Sequence, residues 1–280
     1  MITRFRIITP LIMSGAYKDK VEIREQSIKG LLRWWFRFYK GGILSLEELR
    51  EIEGKIWGLQ ELASRIKLKI KNKPSNNPID AYLRMNDKSN PNIKRKAFPE
   101  NGNFEVEFRF SNPFDENIVK KELEETIWFL INFGGLGARW RRAFGSVQLD
   151  NEERNFDDIF QEVENKLSSY SRGFKNSDFM NISNTAIYFI TKKDGSLWSS
   201  WENCMNDLRD NFYRRLKKEL GINKIQLGRT SPLIIQIKRA KEGYYGVILI
   251  WKRSERVYEK LKPSSEFWKD KNFKTKEVLK

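Results

Sequence analysis

The first 150 residues show strand-like and helix-like periodicities in the order strand, helix, strand, strand, helix, strand. The six segments are residues 2–9, 28–39, 65–71, 104–110, 115–133 and 146–149. Between the two middle strands, the polar segment 74–102 is predicted to be an excursion from the sheet or a partly disordered flap. The order predicts the split βαβ, ferredoxin-like arrangement, which is an antiparallel sheet with both helices on one face. RNA-recognition modules share this topology.

Residues 151–280 repeat this order less clearly. The predicted elements are a helix at 156–170, a strand at 185–191, a helix at 198–220, a hairpin of 231–238 with 244–251, and a helix at 253–261. No closing strand is evident in the pattern. We therefore expect an α+β protein of two ferredoxin-like (RRM-like) domains in tandem, with helices on one face of each antiparallel sheet. The expected domains span residues 1–150 and 151–280.

A glycine-rich loop with several arginines follows the second helix of the first domain. Its glycines are Gly134, Gly135, Gly137 and Gly145, and its arginines are Arg139, Arg141 and Arg142. Glycine leaves backbone N–H groups accessible to anions, and a guanidinium group can reach two phosphate oxygens at once. We therefore predict that the loop holds a phosphodiester backbone. A helix end would explain one of the first two glycines but none of the arginines.

Known nucleotide-binding loops do not match this spacing. The dinucleotide motif G-x-G-x-x-G needs a glycine where Trp140 stands, and a P-loop needs a Gly-Lys-Ser/Thr triplet that the sequence lacks. The order of elements is also reversed, because the predicted helix precedes the loop and the strand follows it. We expect no cofactor and no resident metal.

The first helix carries a basic ridge. Lys29, Arg33 and Arg37 recur every four residues, so they share one helix face. Interleaved with them are the aromatic residues Trp34, Phe36 and Phe38. Aromatic side chains among arginines suit nucleic-acid bases as well as phosphates, which favours an RNA-binding face. A solvated helix face without a partner is the alternative.

The charge balance favours a polyanionic partner. The chain has 53 Lys and Arg against 37 Asp and Glu, a net charge of +16, and residues 1–150 and 151–280 carry equal shares of it. Without a long apolar stretch for a membrane, nucleic acid is the default partner.

The absence of histidine excludes histidine-dependent RNA cleavage and Ser-His-Asp chemistry. The lone Cys204 excludes an internal disulfide, and residues 1–4 lack a signal-peptide pattern, so we expect a cytoplasmic protein.

Three segments carry a resemblance to a known family. They are Thr9-Pro10-Leu11 with Gly15 and the helix start at 27–35, the loop 134–147, and Arg229-Thr230-Ser231-Pro232-Leu233. Together they resemble the RAMP superfamily of CRISPR-associated proteins. Within it, the set is most similar to the first-numbered subunit of the Cmr (type III-B) effector complex, which the Trp-Trp pair after Lys29-Gly30 favours. Ala143 is a departure, because a glycine is common at this position in the family.

The resemblance implies a non-catalytic RNA-binding subunit at one end of an RNA-guided interference complex. Such a subunit would hold guide (CRISPR) RNA and single-stranded target RNA beside other Cmr subunits, without membrane contact, while a different subunit cuts. The predicted RNA-binding residues are Lys29, Arg33, Arg37, Arg139, Arg141, Arg142 and Arg229.

Two other functions stay open from the sequence. Some RAMP proteins are ribonucleases that process or cleave CRISPR RNA, and the candidates here are Asp19 or a pair such as Tyr17 with Lys29. A lysine serves as a base only if burial lowers its pKa by several units. The chain could also be a scaffold whose basic faces meet acidic partner subunits. The RNA hypothesis requires that its cations line an open furrow and are not buried in intramolecular carboxylate pairs.

Overall fold

A computed structural model of the protein describes residues 1–17, 19–75, 77–82, 94–111, 116–150, 153–170, 179–221, 231–253, 255–262 and 273–279. The first domain contains β1 (Ile2–Ile7), α1 (Glu25–Lys40), α2 (Leu46–Trp57), β2 (Ile66–Asn72), β3 (Ile79–Tyr82), β4 (Lys94–Ala97), β5 (Asn103–Phe110), α3 (Glu116–Phe133) and β6 (Val147–Leu149).

The sheet of the first domain has the strand order β2-β5-β1-β6, and all neighbours are antiparallel. In the register, Phe5 of β1 lies opposite Phe104 of β5, and both rings are fully buried under α1 and α3. The opposite face carries charged side chains such as Lys69, which lies opposite Glu107. This strand order is that of the ferredoxin-like fold, so the predicted fold of the first domain is confirmed.

The two helices that shape the candidate site begin differently. α2 begins with a capping box, in which the Ser45 hydroxyl accepts a hydrogen bond from the N–H of Glu48 and the Glu48 carboxylate accepts one from the N–H of Ser45. α1 begins at Glu25, three residues before the predicted start at residue 28, and Arg24 occupies the cap position without a side-chain hydrogen bond. At the end of α1, the Gly41 N–H donates a hydrogen bond to the carbonyl oxygen of Arg37 at 2.9 Å.

Within the predicted excursion at 74–102, the described residues include a two-stranded antiparallel sheet. β3 pairs with β4 in antiparallel register from Ile79 opposite Ala97 to Tyr82 opposite Lys94. Asp80 forms ion pairs with Lys94 and Lys96 at 2.9 and 3.0 Å. Asp80 therefore offsets one of the three positive charges that Lys94, Arg95 and Lys96 place on β4.

The second domain contains α4 (Phe156–Ser168), β7 (Thr185–Lys192), α5 (Trp201–Met205), a π-helical segment (Asn206–Phe212), α6 (Tyr213–Glu219), β8 (Leu233–Ala240), β9 (Gly243–Trp251), α7 (Glu255–Leu261) and β10 (Phe273–Leu279). Its strand order, β10-β7-β9-β8, is again ferredoxin-like and antiparallel. β10 is the closing strand that the periodicity did not reveal. Two ferredoxin-like sheets in tandem are thus confirmed.

Both faces of the second sheet are buried. One face is covered by the continuous stretch from α5 through α6, together with α7, as the ferredoxin-like fold predicts. α4 covers the other, where the Phe156 ring lies 5.0 Å from that of Tyr245. The α3 helix of the first domain also reaches this face, so one hydrophobic core runs through both domains. Among the described helices, none is long and apolar enough to cross a membrane.

Candidate nucleic-acid interface

The basic ridge of α1 and the glycine-rich loop, far apart in sequence, adjoin in the structure. Trp34 lies on the outward side of α1, and its ring centroid is 5.2 Å from that of Trp140 in the loop. Trp35, the next residue, faces inward and is fully buried. The two cationic segments predicted from the sequence therefore form one surface, with tryptophans between them.

Steric constraints explain the glycines of the loop. Gly137 and Gly145 have φ values of +76° and +64°, in the left-handed region that favours glycine. A Cβ atom would collide with the carbonyl oxygen of Ile12 at Gly137 and with that of Leu136 at Gly145. The other two glycines are also closely packed, Gly134 against the Trp35 indole and Gly135 against the backbone of residues 144–145.

Backbone N–H groups of the loop are largely used inside the chain. Those of Leu136, Ala138, Ala143 and Gly145 donate to carbonyl oxygens of the chain at 2.7–3.0 Å. The acceptors for three of them belong to Pro10, Ile12 and Ile235, in other segments. The prediction that the loop's N–H groups cradle a phosphate is therefore wrong for these four. The loop instead clamps the first domain to β8, the edge strand of the second sheet.

The three arginines of the loop have different surroundings. Arg142 extends into the second domain, where its guanidinium donates to the carbonyl oxygen of Leu233, the Tyr213 hydroxyl and the Ser231 hydroxyl at 2.9–3.0 Å. Its Cζ atom also lies 4.4 Å from the centre of the Tyr213 ring. Arg142 thus fastens the loop to the second domain. These bonds leave little of its guanidinium for a phosphate.

Arg141 is held by aromatic rings. Its Cζ atom lies 5.2 Å from the Trp34 ring centre and 5.1 Å from that of Trp140. Burial lowers the pKa of the Arg141 guanidinium from its usual value, and the neighbouring Arg142 lowers it further. In the part of the chain that the structure describes, no carboxylate forms an ion pair with Arg141. A desolvated guanidinium between indoles and without a counter-charge is well placed to bind an anion.

Arg139 is the most accessible arginine of the loop. Its side chain is exposed and its backbone has a φ value of +59°. It forms no ion pair with any described acidic residue. Arg139 and Arg141 therefore provide two positive charges on the surface where the loop meets α1.

The ridge of α1 is partly neutralised from within. Glu53 of α2 is 5% exposed and accepts hydrogen bonds from both Arg33 and Arg37, the latter at 2.6 Å. Arg33 and Arg37 are therefore engaged by an intramolecular carboxylate, as the RNA hypothesis required them not to be, although their side chains stay 30% and 44% exposed. Lys29 has no acidic partner among the described residues, and burial, then Arg33, lowers its pKa. With three cations and the single carboxylate of Glu53, the ridge keeps a positive excess.

The aromatic part of the ridge prediction is largely wrong. Phe36 and Phe38 are fully buried in the core of the first domain. Only Trp34 remains partly exposed, so it is the one predicted aromatic that RNA could reach. Arg229, the last predicted RNA-binding residue, lies outside the described residues.

A cleft between α1 and α2 was not predicted. It has a volume of about 310 Å³ and is lined by Trp34, Arg37, Leu46, Leu49, Arg50, Glu53, Phe179 and Met180. Four of its residues, Leu46, Leu49, Arg50 and Glu53, recur at the i, i+3, i+4, i+7 spacing of one helix face. That spacing was the signal available in the sequence.

A buried lysine supports the loop from beneath. Lys238 of β8 is 3% exposed and donates from Nζ to the carbonyl oxygens of Gly134 and Val147 at 2.7 and 3.4 Å. Burial holds its pKa well below the usual value. Lys238 thus contributes to the contact between the domains and not to an exposed cationic surface.

Comparison with known proteins identifies the class to which this fold and surface belong. The family model of the RAMP superfamily matches residues 4–148, slightly more than half of the chain. The chain therefore belongs to the RAMP superfamily, as the resemblance of its motifs indicated.

The relatives are more specific. The chain is 29% identical over 169 residues to the CRISPR system Cmr subunit Cmr1-2 of Pyrococcus furiosus, covering 51% of this chain and 90% of that protein. It is 27% identical over 151 residues to Cmr subunit Cmr1-1 of the same organism, covering 47% of this chain and 42% of that protein. The chain is thus similar to Cmr1 subunits, as the motifs indicated.

Solved structures share the fold over most of the chain. The crystal structure of apo Cmr1 from Pyrococcus furiosus matches with a TM-score of 0.64 and 19% identity, covering 89% of this chain and 87% of that one. A chain in the cryo-electron microscopy structure of the type III-B Cmr-beta complex bound to cognate target RNA matches with a TM-score of 0.55 and 11% identity, covering 89% and 94%. At these identities the matches establish the shared fold.

Proposed function

We propose that the protein is a non-catalytic, RNA-binding subunit of a type III-B CRISPR (Cmr) complex in the cytoplasm. In that complex it would help to hold guide and target RNA. Two supports come from its relatives, since the proteins similar in sequence are Cmr1 subunits and a structural neighbour belongs to a Cmr complex bound to target RNA. Its partners would be the other subunits of that complex and the two RNAs.

The observation that carries the RNA-binding part is the position of Arg141. Its guanidinium lies between the Trp34 and Trp140 rings, without a carboxylate partner among the described residues. Arg139 lies two residues away in the same loop, and Lys29, Arg33 and Arg37 lie on α1, the helix that carries Trp34. Stacked arginine and indole groups bind single-stranded RNA through its phosphates and its base faces.

The ribonuclease alternative has one observation in its favour, the lowered pKa of Lys29. The proposed pairing with Tyr17 has less support, because Tyr17 is 68% exposed and the ammonium of Lys20 lies 5.3 Å from its ring centre. A general base also has to lie within hydrogen-bond reach of the hydroxyl that it deprotonates. We therefore propose that Lys29 acts as a cation for a phosphate.

RNA binding tests the proposal directly. In the variant with Arg139→Gln and Arg141→Gln, we expect weaker binding of labelled single-stranded RNA and a salt dependence of log K that is shallower by about 1.4, at roughly 0.7 for each lost phosphate contact. A control with Lys67→Gln and Lys69→Gln removes the same charge from exposed positions on the other side of the first sheet. Equal weakening in both variants would show that the site is misplaced.

Catalysis is tested with the same RNA. We expect the parent chain to bind labelled guide and target RNA without cleaving either, with or without magnesium. Cleavage that Lys29→Gln abolishes while Arg139→Gln and Arg141→Gln retain it would instead establish the ribonuclease alternative.

A further inference from the structure

The cleft between α1 and α2 shares Trp34 and Arg37 with the surface described above, and its other lining residues take no part in the RNA contacts described so far. Leu46, the first residue of α2, lies at its rim and is 59% exposed. Leu49 and Met180 are buried within the lining, and Trp34 and Phe179 add aromatic rings. An open apolar cleft of about 310 Å³ on a strongly basic protein is large enough to act as a binding site for a small planar group.

Charge indicates what kind of molecule the cleft would take. Arg37 and Arg50 both line it, and Arg50 is exposed with no ion pair to any acidic residue in the described ranges. Glu53, the acidic residue of the lining, is occupied because both of its oxygens accept hydrogen bonds from arginines. The cleft therefore offers an apolar, aromatic interior with positive charge at its edge. This combination complements a nucleotide, which has a flat base and a negative phosphate.

The cleft is continuous with the Arg141 site through one residue. Trp34 lines the cleft and also lies against Arg141 and Trp140. One turn before Trp34, Gly30 has no side chain and an added Cβ atom would meet no atom within 4 Å, so the helix surface is low there. An RNA strand lying on Arg139 and Arg141 could thus pass close to the helix and reach the cleft.

We propose that the cleft holds one unstacked nucleobase of the bound RNA against Trp34, with Arg37 and Arg50 facing the adjoining phosphates. This inference rests on the proposed RNA-binding function and adds a second contact region to it. Because the Glu53 oxygens are already occupied, the base is held by stacking and apolar contact. We therefore expect little preference among the four bases at this position.

The test uses the full chain and single-stranded RNA carrying 4-thiouridine, a base analogue that crosslinks to adjacent side chains under light. In the parent, we expect crosslinked peptides from the start of α2 or from Trp34, in addition to those from the loop at 139–141. Leu46→Glu places a negative charge at the rim, at a helix start that tolerates an acidic residue. We expect this variant to lose at least about four fifths of the cleft crosslinks while it retains the loop crosslinks.

The matched control is Ile118→Glu, which makes the same charge change at a residue that is 65% exposed on α3 and does not line the cleft. This control should keep both sets of crosslinks. If RNA binds but crosslinks only outside the cleft, or if the cleft crosslinks persist in Leu46→Glu, the cleft proposal is overturned and the proposed function stands. If the parent binds no RNA, the proposed function fails, and this inference fails with it.

Discussion

The substitution Glu53→Gln separates the structural role of the basic ridge from its role in RNA binding. The Glu53 side chain is 7% exposed, whereas those of Arg33 and Arg37 are 30% and 44% exposed. Removing one partner of a fully buried ion pair costs about 3–5 kcal/mol. Here water can solvate the arginines, and glutamine keeps one acceptor, so we expect the free energy of unfolding at pH 7 to fall by about 2 kcal/mol.

The pH dependence identifies the cause of that loss. Burial would raise the pKa of Glu53, but hydrogen bonds from Arg37 and Arg33 outweigh burial and hold the pKa below its usual value. A carboxyl group with a lowered pKa stabilises the fold above its unfolded pKa of about 4.3, and this stabilisation is lost as the pH falls through the folded pKa. Glutamine does not titrate. The difference in stability between parent and variant should therefore shrink below about pH 4.

RNA affinity should change in the opposite direction from stability. Without the Glu53 charge, Arg33 and Arg37 face the solvent with their full positive charge, so we expect tighter RNA binding at low salt. Urea denaturation from pH 7 to pH 3 and an RNA titration measure the two effects. Glu51→Gln is the control, because Glu51 is exposed on the same helix and, among the described residues, forms an ion pair with Lys55 alone. A pH-independent stability difference, or RNA binding that weakens with stability, would refute the reasoning.

Three further predictions concern stability. The folded chain binds the Lys238 proton less tightly than the unfolded chain, so the parent should gain stability as the pH rises toward the unfolded lysine pKa of about 10.4. In Lys238→Met this gain should disappear. Urea denaturation at pH 8 and pH 10 measures the difference. Ala143→Gly should change the free energy of unfolding by less than about 1 kcal/mol, because the relief of strain at the +66° φ offsets the loss of the buried methyl group. Ala143→Val, by contrast, should destabilise the fold severely. Gly30→Ala should stabilise the fold by about 0.5–1 kcal/mol, since the added Cβ meets open space on a helix. If the RNA strand lies on α1, the same variant should bind RNA more weakly. Thermal unfolding and RNA titration measure the two effects.

The strands of the first sheet were predictable because one face is buried and the other faces water. β5, for example, alternates the buried Phe104, Val106 and Phe108 with charged residues. β10 has no such alternation. It is an edge strand in which Lys274, Lys276 and Glu277 mix with apolar residues on both faces, so periodicity did not reveal it.

The ridge of α1 shows where periodicity stops being informative. Spacing correctly placed Lys29, Arg33 and Arg37 on one face. It did not reveal Glu53, since the ion pairs depend on how α2 packs beside α1 and not on local sequence. The burial of Phe36 and Phe38 has the same origin, because α2 and α3 flank α1 and leave only a narrow outward face.

The loop arginines lead to the last step in the argument. Arg139, Arg141 and Arg142 are equivalent in composition, yet one is exposed, one is held between tryptophans, and one is bonded to the second domain. Since Arg142 and the Ala143 N–H fix the loop to β8, the position of Arg141 depends on the second domain. The cationic surface is therefore built from both halves of the chain, and weakening the contact between the domains should weaken RNA binding even where no RNA-facing residue is changed.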